Sequence, residues 1–131
     1  LSTCIFSIMA SKLGMHQKAY DYFGDSAKLD LFNTHHNTKD GIHTANMGGN
    51  YMAVVYGFAG LRLKESGLYF SPSLPDKWNG YRFKINYEGS QFEVHVTRKE
   101  CIFTLCKGTP VTLFIYNKEY LLTECITIEG N

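Results

Sequence analysis

The chain has 131 residues, 44% of them hydrophobic and 19% charged, with a formal net charge of +1; these are the proportions of a soluble globular protein of one domain or two small pieces. A balance so near zero gives no electrostatic footprint for nucleic acid, and no stretch reads as a signal peptide or a transmembrane span. The sequence opens Leu1-Ser2-Thr3 without a Met, so a fragment of a longer protein is expected and targeting signals at this end are not tested.

Ser2 or Thr3 can cap a first helix whose apolar residues Ile5, Ile8, Met9 and Leu13 recur at spacings of three and four before Gly14 ends it. His16 to Phe23 reads as a second helix with Ala19, Tyr22 and Phe23 on its apolar side; Gly24 is expected to break it, and Asp25 to Leu31 to form a short helical turn. Short joints between helices predict antiparallel neighbours.

The most specific stretch follows. The polar run His35-His36-Asn37-Thr38-Lys39-Asp40-Gly41 gives way at His43 to a run with no polar stripe after Asn50, through Tyr51-Met52-Ala53-Val54-Val55-Tyr56-Gly57-Phe58. The pattern predicts a helix from His43 to about Phe58, buried on most sides, with its start signalled by Asp40-Gly41. Two or three helices cannot cover such a helix. Either the remainder of the chain packs over it or further helices precede it, and the missing Met favours the second.

After Gly60 the hydrophobic period falls from about 3.6 to 2. Leu61, Leu63, Leu68 and Phe70 predict short strands around Glu65-Ser66-Gly67, and Pro72 and Pro75 bracket a loop before Trp78. Tyr81, Phe83, Ile85 and Tyr87 alternate with polar residues, Glu88-Gly89-Ser90 turns the chain, and Phe92, Val94 and Val96 alternate in a hairpin partner. Further strands are expected at Cys101–Cys106, Val111–Tyr116 and Tyr120–Ile128. Short strands with regular turn signals read as a β-sandwich. The expected organisation is a helical part over 1–60 and an all-β part over 61–131.

The four cysteines, Cys4, Cys101, Cys106 and Cys125, form no CxxC pair and read as reduced thiols in half-buried positions. His35, His36, Asp40 and His43 match no common zinc spacing, so no metal site is expected. His43 is either a helix-start histidine with both ring nitrogens satisfied or, with the Thr44 hydroxyl and the first N–H groups of the helix, part of an anion site. Gly48 and Gly49 each cost about 1 kcal/mol relative to Ala inside a helix, which implies a close approach by another helix or by a ligand. No pair of carboxylates announces itself as acid and base. The residues by themselves yield a helical piece, a β-sandwich and an anion-friendly helix start, but no reaction.

The run Asp40-Gly41-Ile42-His43-Thr44-Ala45-Asn46-Met47-Gly48-Gly49, followed by Ala53-Val54-Val55-Tyr56-Gly57-Phe58-Ala59-Gly60-Leu61-Arg62, closely resembles the C-terminal region of glycoside hydrolase family 65, which holds maltose, trehalose, kojibiose and nigerose phosphorylases. Lys12-Leu13-Gly14, Ala19-Tyr20-Asp21-Tyr22-Phe23 and Ser71-Pro72-Ser73-Leu74-Pro75 before Trp78 agree. The resemblance spans essentially the whole chain. It implies an α+β fragment: the last helices of a catalytic (α/α)6 barrel, then a C-terminal antiparallel β-sandwich. It also implies a cytoplasmic enzyme, often dimeric, that converts an α-linked glucose disaccharide and inorganic phosphate to β-glucose 1-phosphate and a free sugar.

An inverting hydrolase needs an acid for the leaving oxygen and a base to activate water. Phosphate is already an anionic nucleophile, so a phosphorylase needs only the acid and a site that holds phosphate. The family's acid is a Glu from an earlier barrel loop. Neither it nor the sugar-contacting Lys-Gln pair has a match here, so no catalytic residue is expected in this chain, and no cofactor or metal. By match to the Asp-Gly-Ile-His motif, His43 is implied as the phosphate ligand, with Thr44 and the backbone at Gly48 as weaker candidates. The alternatives are a family hydrolase of α-glucosides and a non-catalytic carbohydrate-binding or structural β-sandwich using Trp78, Tyr81 or Tyr87 for stacking.

Overall fold

The computed structural model describes residues 2–29, 31–32 and 43–130. The chain divides into two units, Leu1–Phe58 and Ala59–Asn131. Among the described residues three helices precede the strands: α1 (Thr3–Lys12), α2 (His16–Ala27) and α3 (Thr44–Met52), the last running into a π-helical turn at Ala53–Phe58.

In the helical unit, α1 stops where expected, at Gly14, whose φ of 73° is the left-handed conformation of a helix C-terminus. Residue 7 meets residue 19 and residue 6 meets residue 22, so α1 and α2 run antiparallel: the Ser7 hydroxyl donates to the Ala19 carbonyl at 2.7 Å, and the Phe6 and Tyr22 rings lie 5.6 Å apart. The expected break at Gly24 does not occur; α2 continues to Ala27. A helical glycine costs only about 1 kcal/mol, and the last turn is anchored by the buried side chain of Ser26.

The inward face of α1 also differs from its apolar stripe. Cys4, Ser7 and Ala10 are buried, whereas Ile5, Met9 and Leu13 remain 49%, 49% and 70% exposed. The reason is close approach. A Cβ on Gly49 of α3 would lie 2.5 Å from the Cys4 sulfur, and one on Gly57 would lie 3.6 Å from the Ile8 Cα. Only small residues permit backbones to pack this tightly, so a seam of small side chains, and not the bulky stripe, forms the interface.

Within this chain the third helix is covered on one side: Met47, Tyr51, Met52 and Tyr56 are exposed, while Asn46, Gly49, Ala53, Val55, Gly57 and Phe58 are buried. Ala53 and Phe58 are five apart, the spacing of a π turn, and the widened turn carries Phe58 inward to meet Phe23 at 5.7 Å.

The second unit contains eight strands: β1 (Arg62–Lys64), β2 (Gly67–Phe70), β3 (Gly80–Tyr87), β4 (Ser90–Thr97), β5 (Glu100–Lys107), β6 (Val111–Ile115), β7 (Lys118–Leu122) and β8 (Cys125–Glu129). They form two four-stranded sheets, ordered β1-β2-β6-β7 and β3-β4-β5-β8. The expected single segment Tyr120–Ile128 is two strands that belong to different sheets. Phe70 of the first sheet meets Phe92 and Phe103 of the second in edge-on contacts at 6.1 and 5.3 Å. With Val94, Leu113, Ile115 and Leu122 these rings are among the most deeply buried side chains of the unit.

The sheets are not wholly antiparallel, as had been expected. β2 and β6 pair in parallel, Leu68 opposite Leu113 and Phe70 opposite Ile115. Parallel neighbours need a long crossover, and β3, β4 and β5 of the opposite sheet supply it. Local alternation cannot report this, because it fixes which face of a strand is buried and not the direction of its neighbour.

The Pro-Trp loop between β2 and β3 is strapped to the sheets. The Tyr81 hydroxyl donates to the Ser73 carbonyl at 2.9 Å, Tyr116 to that of Pro72, and the Arg98 guanidinium to those of Asp76 and Trp78. Burial raises the Tyr81 and Tyr116 phenols well above their ordinary range, so both remain donors.

Candidate functional site

α3 begins immediately after His43, whose backbone is non-helical at φ −83° and ψ 89°. The His43 carbonyl accepts from the N–H groups of Asn46 at 2.9 Å and Met47 at 3.2 Å. The N–H groups of Thr44 and Ala45 therefore precede the first acceptor of the helix, which is where a helix presents donors and partial positive charge to an anion. His43 is half-buried, and Thr44 and Gly48 are exposed. Gly48 lies one turn on from Thr44, and among the described residues nothing beyond its own helix backbone lies within 4 Å of where its Cβ would be. Of the two adjacent glycines, only Gly49 is explained by helix packing.

What fixes this helix start is a pair to which the sequence reading assigned no role. The Ser26 hydroxyl donates to Asn46 Oδ1 at 2.7 Å, and Asn46 Nδ2 donates to the Ser26 carbonyl at 2.7 Å. Both side chains are buried. The reciprocal pair ties the last turn of α2 to the first turn of α3. The available signal was an Asn in the first turn of a mostly small and apolar helix, a polar group that burial obliges to find a partner. Asn46→Ala is expected to cost about 1–3 kcal/mol, because the buried Ser26 hydroxyl loses its acceptor, while the Ser26 carbonyl keeps only the Leu29 N–H at 3.3 Å. Urea denaturation of the Ser26→Ala, Asn46→Ala and double variants tests this; additive losses would show that the two residues are not coupled.

His35, His36 and Asp40 lie outside the described residues. Among the described residues, no three His, Cys, Asp or Glu side chains are grouped to hold a metal ion, and no helix is long and apolar enough to cross a membrane. The cysteines do not share the half-buried setting expected of them: Cys4 and Cys101 are buried and Cys106 and Cys125 exposed, all as free thiols. Burial pushes the Cys101 thiol up, which leaves it protonated and a poor nucleophile at neutral pH. Tyr81 is occupied in holding the Pro-Trp loop, and the Trp78 ring lies edge-on to it at 6.2 Å. Neither makes an open stacking platform.

Sequence comparison separates the same two regions. The model of the glycosyl hydrolase family 65 central catalytic domain matches residues 1–52, and that of the family's C-terminal domain matches residues 61–122. The chain belongs to glycosyl hydrolase family 65. Within this family it is 54% identical over 124 residues to an α,α-trehalose phosphorylase of Geobacillus stearothermophilus, a match covering 95% of this chain and 16% of the relative. It is 38% identical over 122 residues to a maltose phosphorylase of Bacillus subtilis, covering 93% and 16%. A solved structure from the human microbiome, provisionally assigned as a kojibiose phosphorylase, superposes with a TM-score of 0.92 at 34% identity, over all of this chain and 19% of that one. The chain thus spans about a sixth of the length of these family 65 relatives. His43, Thr44 and Gly48 fall in the region matched by the catalytic-domain model.

Proposed function

We propose that this chain is the closing part of an inverting disaccharide phosphorylase, in which it supplies the phosphate side of the reaction site. The observation that carries the reading is the position of His43 and Thr44 at the N-terminus of α3, in the segment matched by the catalytic-domain model. The backbone N–H groups of the first turn, the His43 ring and the Thr44 hydroxyl are donors suited to phosphate oxygens; the backbone at open Gly48 is a weaker contact. Relatives named as trehalose, maltose and kojibiose phosphorylases support the reaction class. The exposed apolar residues of α1 and α3 support a place among further helices, as in an (α/α)6 barrel, because surfaces of this kind normally meet a partner.

In this reading the helix start holds phosphate against the anomeric carbon of the glucosyl unit, on the face opposite the leaving oxygen. Attack from that face inverts the α-linkage to β-glucose 1-phosphate. The general acid is a Glu outside this chain, so the chain in isolation has no activity. No cofactor is needed, since phosphate is itself the nucleophile. The test is performed on the full-length protein, incubated with trehalose, maltose or kojibiose, with and without phosphate. Proton NMR is expected to show β-glucose 1-phosphate forming only with phosphate. Free glucose released at the same rate without it would identify a hydrolase and defeat the proposal.

A further inference from the structure

A concave site lies wholly within the β unit. The β1–β2 turn, the β3–β4 turn and the start of β6 converge on a cleft of about 250 Å³. One wall comes from each sheet: Ser66, Thr109 and Thr112 on one side, Tyr87 and Glu88 on the other.

The walls are preformed. The Ser90 hydroxyl donates to the Thr109 carbonyl at 2.8 Å, tying the β3–β4 turn to the loop before β6. Gly108, at φ 97°, lets that loop lie against Ser90, where a Cβ would come within 2.6 Å of the Ser90 Cα. Across the cleft, the Ser66 and Tyr69 hydroxyls are 2.6 Å apart, and the Tyr69 ring stacks on Phe114 at 4.4 Å. A site already built in the free protein loses little entropy when it binds.

Glu88 stands out in this cleft. It has φ 48° and is followed by Gly89 at φ 82°, so the two-residue hairpin loop needs a left-handed residue at both positions. Asn, Asp or Gly suits the first position; a Glu there is strained. The comparable residue, Tyr116 at φ 50°, is held by its hydroxyl bond to Pro72. Among the described residues the Glu88 carboxylate has no hydrogen bond or ion pair. Strain at a residue that makes no internal contact points to an external one.

The lining defines the ligand. Hydroxyls of Ser66, Thr109 and Thr112 both donate and accept, the Glu88 carboxylate accepts, and Tyr87 contributes an aromatic side chain to the lining. No Lys, Arg or His lines the cleft, which disfavours an anion, and a single carboxylate is too few for a calcium cage of six to eight oxygens. The volume falls just short of the roughly 300–1,000 Å³ of drug-sized pockets, a fit for one sugar ring. We infer that this cleft is a saccharide-binding site of the β unit, which takes one neutral pyranose ring with its hydroxyls on Glu88 and its C–H face on Tyr87.

The test uses saturation-transfer NMR on the 131-residue chain with glucose, maltose and trehalose as probes. Transfer is expected with wild type, and Glu88→Asn is expected to weaken binding about tenfold by loss of a charge-assisted hydrogen bond. Asn suits the left-handed backbone, so the same variant should keep or raise Tm, which separates lost binding from lost folding. Tyr87→Ala should abolish transfer, and added inorganic phosphate should leave it unchanged, which keeps this outcome independent of the phosphorylase reading. No transfer from wild type, full transfer in both cleft variants, or displacement of the sugar by phosphate each overturns the assignment.

Discussion

Replacing His43 with Ala in the full-length enzyme is expected to lower kcat/KM for phosphate about 10- to 100-fold and to leave KM for the disaccharide near its wild-type value. The magnitude is that of one hydrogen bond to a charged group, about 1.5–3 kcal/mol, and every 1.4 kcal/mol is tenfold. The asymmetry between the two substrates is the diagnostic part. A ligand of phosphate alone acts on the phosphate term, whereas a collapsed helix start disturbs both. Thr44→Ala is expected to act in the same direction and less, since the exposed Thr44 loses a hydroxyl but keeps its backbone N–H. Unchanged phosphate kinetics in His43→Ala would remove His43 from the mechanism and return it to a helix-start role.

Phe70→Ala is expected to destabilise the β unit by about 3–5 kcal/mol, the range for deleting a buried aromatic ring. Phe70 is fully buried and stands between the sheets, edge-on to Phe92 and Phe103. It also ends β2, the strand that forms the parallel pair with β6. Its removal opens a cavity at the junction of both layers. Trp78 is the only tryptophan of the chain and belongs to this unit, so its fluorescence reports the unfolding of the β unit specifically. A loss below about 1 kcal/mol in guanidinium titrations would mean that the sheets close over the gap and that Phe70 is not the centre of the core.

Much of the local structure was legible in the residues. The helix end at Gly14, the loop around Pro72 and Pro75 and the hairpin at Glu88-Gly89 each follow from one strong backbone preference acting over a few residues. Gly24 misled because its preference is worth only about 1 kcal/mol, less than the tertiary contacts made by the turn that follows it. The buried face of α1 was misread for a related reason. Periodicity marks which residues are apolar, but close approach by Gly49 and Gly57 gave the inner side to Cys4, Ser7 and Ala10.

The candidate sites divide the same way. The position of His43 and Thr44 at a helix start could be read from the chain, since it depends on a polar-to-apolar boundary and on turn residues just before it. The Ser26–Asn46 pair that anchors this start could not, because its partners are twenty residues apart and nothing local joins them. Of the saccharide cleft only Tyr87 was named from the sequence: Ser66, Glu88 and Thr109 come from three separate turns and carry no shared spacing.

Sequence alone determined the division into a helical and a strand-rich part, most of the turns, and the dipole-bearing helix start, because these depend on interactions within one or two turns of chain. Tertiary structure alone decided the parallel β2–β6 pairing, the small-residue seam of α1 and the convergence of three loops on one cleft. Each of these depends on which distant backbones can approach one another, and that is settled by packing.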